Sequence, residues 1–107
     1  MFWINGIQWK ICFVDPDDYI LYDYYNDCMT VATTDLYSHT IYIADNIDDI
    51  FLIKILKHEL YHCYEFSNVA YDLPTCYEEL VADFMATYGE ELIDNAYELY
   101  KQITYYE

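Results

Sequence analysis

The chain has 107 residues, of which 20 are Asp or Glu and four are Lys or Arg, so its formal net charge is −16. Hydrophobic residues make up 56% and aromatic residues 21%, which excludes intrinsic disorder, because disordered acidic chains lack the apolar side chains for a core. The charge argues against direct binding to nucleic acid, which depends on Lys and Arg, and against anionic membrane surfaces. We expect one domain, residues 1–107, with an acidic surface suited to a basic protein partner.

The four cysteines give little indication of a disulfide framework or of a structural zinc finger. Cys12, Cys28, Cys63 and Cys76 form no CxxC pair. The first ten residues do not resemble a signal peptide, and no apolar run approaches the roughly 20 residues that span a membrane. We therefore expect a cytoplasmic protein with reduced thiols, although an even number of cysteines leaves disulfides open.

The first half of the chain has the pattern of short strands. Asn5-Gly6 lies between two apolar runs and predicts a hairpin, because both residues accept a positive φ. Residues 29–34 and 40–44 predict a second hairpin, whose turn contains His39. We expect His39 to be a surface residue; the alternative is that it reaches a neighbouring cleft. The Tyr-rich residues 19–28 are ambiguous. These hairpins predict a small antiparallel sheet.

The second half has helical periodicity. Apolar residues recur at spacings of three and four from Ile50 to Tyr64, and either Asn46 or Asp48 can cap this helix. Thr75 with Glu78 predicts the start of a second helix, Gly89 is a plausible stop, and residues 90–106 predict a third. We predict an α+β fold in which the small sheet packs on the first helix and two further helices follow.

One motif in the first helix carries chemistry. His58, Glu59 and His62 form the pattern HExxH. Residues four apart on a helix lie one above the other, so both imidazoles can bind one metal ion, and Glu59 borders the site as a candidate general base for a metal-activated water. Two His with a carboxylate favour zinc over other divalent ions.

The next predicted helix offers a third ligand. Glu79 and Asp83 are four residues apart and share a face, so Glu79 can bind the metal while Asp83 accepts a hydrogen bond from a ligating histidine. Glu78 is the competing ligand, but the residue four positions after it is Ala82, which offers no such hydrogen bond. We prefer Glu79.

These residues resemble the HExxH…ExxxD pattern of gluzincin-type zinc metallopeptidases. The run over about residues 29–91 is similar to small phage-encoded proteins of this kind and to ImmA/IrrE-type peptidase domains. The resemblance implies that His58, His62 and Glu79 are zinc ligands, that Glu59 is the general base and that Asp83 orients a ligand. It also implies a peptidase as one candidate function.

The charge favours a different function on the same scaffold. In size and acidity the chain resembles phage anti-CRISPR proteins, which implies binding to the basic surface of a host defence nuclease, such as a Cas9-type effector, inside the bacterial cytoplasm. Zinc would then be mainly structural. From the sequence we favour this inhibitor, and an active metallopeptidase that uses Glu59 is the alternative.

Overall fold

The structure is a computed structural model that describes residues 1–67 and 77–105; the side chains of 77–80, 82 and 83 lie outside the description. The described elements are a 3₁₀ turn (Tyr19–Leu21), strands β1 (Phe2–Ile4), β2 (Ile7–Val14), β3 (Tyr22–Asp23), β4 (Cys28–Met29), β5 (Ala32–Asp35) and β6 (Thr40–Ala44), and helices α1 (Asp49–Ser67) and α2 (Tyr77–Tyr105). The predicted α+β class is confirmed.

Four strands form a mixed sheet in the order β1-β2-β6-β5, and β3 pairs with β4 as a separate hairpin. The prediction of a purely antiparallel sheet is wrong, because β2 and β6 are parallel from Lys10↔Thr40 to Val14↔Ala44. The connection from β2 to β6 comprises the 3₁₀ turn, the β3–β4 hairpin and β5. This connection is long enough for β6 to run in the same direction as β2. β5 pairs with β6 alone within this sheet and is therefore an edge strand.

Both predicted hairpins are confirmed. Asn5 and Gly6 have φ values of 48° and 81°, as expected for the two central residues of a type I′ turn. The turn between β5 and β6 is held by Asp35, whose carboxylate accepts hydrogen bonds from the Tyr37 amide at 3.0 Å and from the Ser38 hydroxyl at 2.9 Å. The hydrogen bond from the Ser38 hydroxyl, followed by that from the Tyr37 amide, holds the pKa of Asp35 below its ordinary value.

Helix α1 begins where one of the two predicted caps lies. The Asp48 carboxylate accepts a hydrogen bond from the Phe51 amide at 2.8 Å and so satisfies a free N–H of the first turn. The predicted apolar stripe is partly wrong, because Ile50 is 86% exposed. The buried face is formed mainly by Leu52, Ile55, Leu56, Glu59, Leu60, Cys63 and Tyr64.

Helix α2 is one continuous helix of 29 residues, so the predicted break at Gly89 and the third helix are wrong. A single glycine inside a long helix costs only about 1 kcal/mol relative to alanine, which the packing of the other residues outweighs. The predicted cap Thr75 lies outside the described residues.

One hydrophobic cluster joins the sheet to both helices. Its buried members include Trp9, Ile41 and Ile43 from the sheet, Leu56 and Leu60 from α1, and Phe84, Leu92, Ala96 and Leu99 from α2. The end of α1 is tied to the sheet, because the Trp9 indole donates to the Ser67 hydroxyl at 3.0 Å. Neither of the described helices is long and apolar enough to cross a membrane.

Candidate metal centre and cleft

His58 and His62 lie on the exposed face of α1, one turn apart. Both are exposed, and the side chain of His58 is 69% accessible. Their ring centroids are 5.3 Å apart, and the ring planes meet at 67°. The helix therefore presents two imidazoles side by side to solvent.

This spacing fits a single metal ion. Zinc binds imidazole nitrogen at 2.0–2.1 Å and prefers tetrahedral angles, which together place the centroids of two ligating rings about 5 Å apart. The observed separation of the His58 and His62 rings is 5.3 Å. The separation of the two rings is therefore compatible with both of them binding one metal ion.

Glu59 lies beneath the two histidines and is only 7% exposed. Its Oε1 accepts a hydrogen bond from the Thr34 hydroxyl of β5 at 2.9 Å. Its Oε2 lies 3.8 Å from His58 Nε2. One carboxylate oxygen is thus held by the sheet, and the other lies near His58.

An open cleft runs beside these residues. One part, of about 310 Å³, is lined by Ala32, Thr33, Thr34, Leu36, His58, Glu59 and His62. A second part, of about 290 Å³, continues toward the start of α1 and is lined by Thr30, Val31, Ala32, Phe51, Lys54, Ile55, His58 and Glu59. The cleft therefore follows the exposed face of α1 on one side and the edge strand β5 on the other.

Behind the histidines, α1 packs against α2 through aromatic rings. Tyr61 lies between the two elements, with its ring centroid 5.7 Å from that of His62 and 4.7 Å from that of Phe84. Tyr61 is therefore part of the helix–helix packing. The buried Tyr64 ring also contacts Phe84, at 6.3 Å between centroids, so this section of α2 is fixed against the HExxH motif.

The predicted third ligand cannot be placed from the described side chains. Glu79, its competitor Glu78 and the predicted partner Asp83 belong to α2, but their side chains lie outside the description. Among the side chains that are described, no group of three His, Cys, Asp or Glu is arranged to hold a metal. The histidine pair and Glu59 are the part of the predicted site that the structure brings together.

Cys63 lies on the buried side of the motif. Burial, and then the nearby charge of Glu59, raise the pKa of its thiol to about 12. It is fully buried, whereas Cys12 and Cys28 are exposed, and all three are free thiols. Cys63 is thus a neutral core residue.

Comparisons with known proteins do not identify a family. No protein-family model, no curated protein and no solved structure matches the chain. The residues of the cleft must therefore be interpreted from their own chemistry and from the resemblance of the motif.

Two features of the site were not found from the sequence. Thr34, the partner of Glu59, has no local signal, because its role depends on how β5 packs on α1. The β3–β4 hairpin lies in the ambiguous Tyr-rich segment, where Asp23 followed by Asn26 is a turn signal.

His39 lies away from the cleft, with its ring 4.9 Å from that of Trp9 and 5.6 Å from that of Phe66.

Proposed function

We propose that the protein is a zinc-dependent hydrolase of peptide bonds, in which His58 and His62 bind the metal and Glu59 is the general base. The observation that carries the proposal is the open cleft between α1 and the edge strand β5, which is lined by the histidine pair and Glu59. The resemblance of HExxH…ExxxD to gluzincin-type peptidases supports the same chemistry. The proposed compartment is the cytoplasm.

The residues of the site would have separate roles in hydrolysis. When bound, zinc would polarise the substrate carbonyl and lower the pKa of a water molecule. Glu59 would accept the proton of the attacking water at Oε2 and pass it to the departing amine nitrogen. The Thr34 hydroxyl, 2.9 Å from Oε1, would keep the carboxylate in one orientation throughout.

Glu79 remains the proposed third ligand, with Asp83 as the residue that orients a histidine. The packing of α2 supports this choice, since Phe84 lies against Tyr61, the residue before His62. Glu79 is five residues earlier on the same helix, which corresponds to about 7.5 Å along the axis. The turn of α2 that contains Glu79 therefore lies within about two helical turns of the contact between Phe84 and Tyr61.

The cleft suits an extended polypeptide. From Phe51 to His62 its helical wall spans about 16 Å, the length of about five residues in a β-strand. The opposite wall is the edge strand β5. A peptide can add to such an edge through main-chain hydrogen bonds, which bind the backbone of many sequences.

A second candidate is the inhibitor expected from the charge, an acidic zinc protein that binds the basic surface of a host nuclease such as a Cas9-type effector. The exposed tyrosines favour it, since Tyr19, Tyr24, Tyr25 and Tyr37 are 78%, 77%, 100% and 99% exposed. Tyrosine is enriched in protein interfaces. In this candidate, zinc contributes folding free energy and Glu59 is not needed.

Glu59→Gln separates the two candidates. The zinc-loaded wild type, Glu59→Gln and the control Glu65→Gln, which changes an exposed residue of the same helix, are incubated with a pool of peptides from a denatured cell extract. Mass spectrometry then identifies new termini. We expect cleavage by the wild type and control, and a loss of at least about 100-fold in Glu59→Gln. Absence of cleavage by the zinc-loaded wild type would contradict the peptidase.

A further inference from the structure

A further pocket adjoins the cleft at β5. It has a volume of about 250 Å³, and its wall includes Tyr22, Asp23, Tyr24 and Tyr25 of the β3–β4 hairpin together with Ala32 and Thr33 of β5. Ala32 and Thr33 also line the cleft beside His58 and His62. A polypeptide in the cleft could therefore place a side chain in this pocket, which we call the tyrosine pocket.

The hairpin that forms the tyrosine pocket is held in one shape by its own hydrogen bonds. Asp23 Oδ1 accepts from the amides of Tyr25 at 2.9 Å and Asn26 at 3.2 Å, and Asp23 Oδ2 accepts from the Asn26 side chain at 2.8 Å. The Tyr22 hydroxyl donates to Asp27 Oδ1. Because the turn is ordered before any ligand arrives, little conformational entropy is lost on binding.

Two aromatic residues of the pocket wall are largely or fully exposed. Tyr24 is 77% and Tyr25 is 100% exposed, while the Tyr22 and Tyr24 rings meet edge to face at 4.7 Å between centroids. An aromatic face attracts a cation through its quadrupole, most strongly when several rings surround the same point. The paired rings of Tyr22 and Tyr24, with Tyr25 in the same pocket wall, thus offer a surface suited to a cation.

The charge around the pocket has the complementary sign. Residues 11–53 contain nine aspartates and neither lysine nor arginine. Asp23 lies in the pocket wall, and hydrogen bonds, first that of the Asn26 side chain, hold its pKa below the ordinary value, so it stays ionised at neutral pH. A cationic side chain in the pocket would therefore interact with carboxylates for which residues 11–53 provide no lysine or arginine.

We propose that the tyrosine pocket binds a cationic side chain, arginine in preference to lysine, of the polypeptide whose backbone lies in the adjacent cleft. Arginine is preferred because its planar guanidinium stacks on aromatic rings and donates to carboxylates at the same time. The placement of the backbone rests on the proposed function; binding of the cation by the hairpin does not. The pocket thus selects substrates with a basic residue beside the cleaved bond.

The test uses two short peptides and the metal-free protein. Acetylated and amidated Ala-Ala-Arg-Ala-Ala is titrated into ¹⁵N-labelled protein in EDTA. The same peptide with citrulline in place of arginine is the uncharged control. We expect the arginine peptide to shift the amide signals of Tyr24, Tyr25 and Thr33 and to bind about tenfold more tightly than the citrulline peptide. Equal affinities would overturn the proposal.

A matched pair of variants locates the binding. Tyr25→Ala removes a fully exposed ring from the pocket, and Tyr37→Ala removes an equally exposed ring from the β5–β6 turn. Neither ring is buried, so both variants should keep the fold. We expect Tyr25→Ala to weaken the arginine peptide by at least about threefold and Tyr37→Ala to leave its affinity unchanged. An unchanged affinity in Tyr25→Ala, or an equal loss in both, would overturn the proposal.

The peptidase assay distinguishes this inference from the proposed function. Selective binding of the arginine peptide without cleavage of any peptide would sustain the cation pocket and contradict the hydrolase. Cleavage of the peptide pool with no enrichment of Arg or Lys near the new termini would sustain the hydrolase and contradict the pocket as its specificity site.

Discussion

A buried carboxylate needs a hydrogen-bond donor, and in this protein Thr34 supplies one to Glu59 at 2.9 Å. Thr34→Val keeps the shape of the side chain and removes the hydroxyl, which leaves Oε1 of a nearly buried acid without that donor. We expect the free energy of unfolding to fall by about 1–3 kcal/mol, because a hydrogen bond to a charged group is lost and the carboxylate is still desolvated. Urea denaturation of the metal-free protein measures this change.

Thr33→Val is the matched control for this prediction. Thr33 precedes Thr34 in the same strand, and its side chain points to the other face of the sheet. A valine is also well suited to a strand, so we expect a change within about 0.5 kcal/mol. Equal losses in the two variants would contradict the role given to the Thr34 hydroxyl.

At this scale the sequence predicts the residues that local spacing brings together. His58, Glu59 and His62 share one helix, so their proximity follows from the 3.6-residue period. The bond from Thr34 to Glu59 joins residues 25 apart in the chain. It depends on the position of a strand relative to a helix, which no local pattern contains.

Between elements, Tyr64 links α1 to α2 through polar contacts at the edge of the core. Its hydroxyl accepts a hydrogen bond from the side-chain amide of Asn95 at 2.6 Å and donates one to Glu91 Oε1 at 3.2 Å. Burial, followed by the charge of Glu91, raises the pKa of Tyr64 above its ordinary value. The folded protein therefore favours the neutral phenol, whereas the unfolded chain ionises near pH 10.

This difference predicts how Tyr64→Phe responds to pH. Below pH 10 the contribution of the hydroxyl is complete, and it is lost as the pH rises above 10, because the unfolded phenol releases its proton first. We expect Tyr64→Phe to lose about 0.5–1.5 kcal/mol at pH 7 and to decline less than the wild type between pH 9 and 11. Parallel declines would contradict this, and Tyr37→Phe, which changes an exposed ring, is the control.

Helix α2 provides a test of its continuity at Gly89. A Cβ at this position would lie 3.0 Å from Met85 Cε, the flexible end of a half-exposed side chain that can move aside. We expect Gly89→Ala to stabilise the protein by about 0.5–1 kcal/mol, which raises the melting temperature by about 3–6 °C. Gly6→Ala should be destabilising, because φ is +81° there. A destabilised Gly89→Ala protein would favour the two-helix interpretation.

Turn signals and hydrophobic periodicity predict those strands and helices whose determinants are local in the sequence. Asn5-Gly6 and the two runs of residues 29–34 and 40–44 identified both hairpins correctly, because these signals are local in the sequence. The parallel pairing of β2 with β6 was missed, since it joins segments about 30 residues apart. The continuity of α2 was missed because a glycine signals a helix end only if its φ is positive, and positive φ is found at Gly6 instead.

Across the whole molecule, the net charge of −16 is unevenly spread. The nine aspartates of residues 11–53 face no lysine or arginine within that segment, whereas Lys54 and Lys57 lie on α1. Lys57 Nζ lies 5.0 Å from the centre of the Tyr97 ring, so it contributes to the contact between helices. Within this segment, Asp23 lines the tyrosine pocket, and residues between Thr30 and Leu36 form the cleft wall opposite the proposed metal.

If His58 and His62 hold a zinc ion, the purified protein should contain zinc, which metal analysis measures. Protein prepared without added metal or chelator is measured by mass spectrometry for zinc and for chain concentration. The wild type and His39→Ala, which changes the third histidine of the chain, should each contain about one zinc ion per chain, and His58→Ala and His62→Ala should contain almost none. A wild type without stoichiometric zinc, or zinc retained by both His58→Ala and His62→Ala, would show that the histidine pair does not hold the metal.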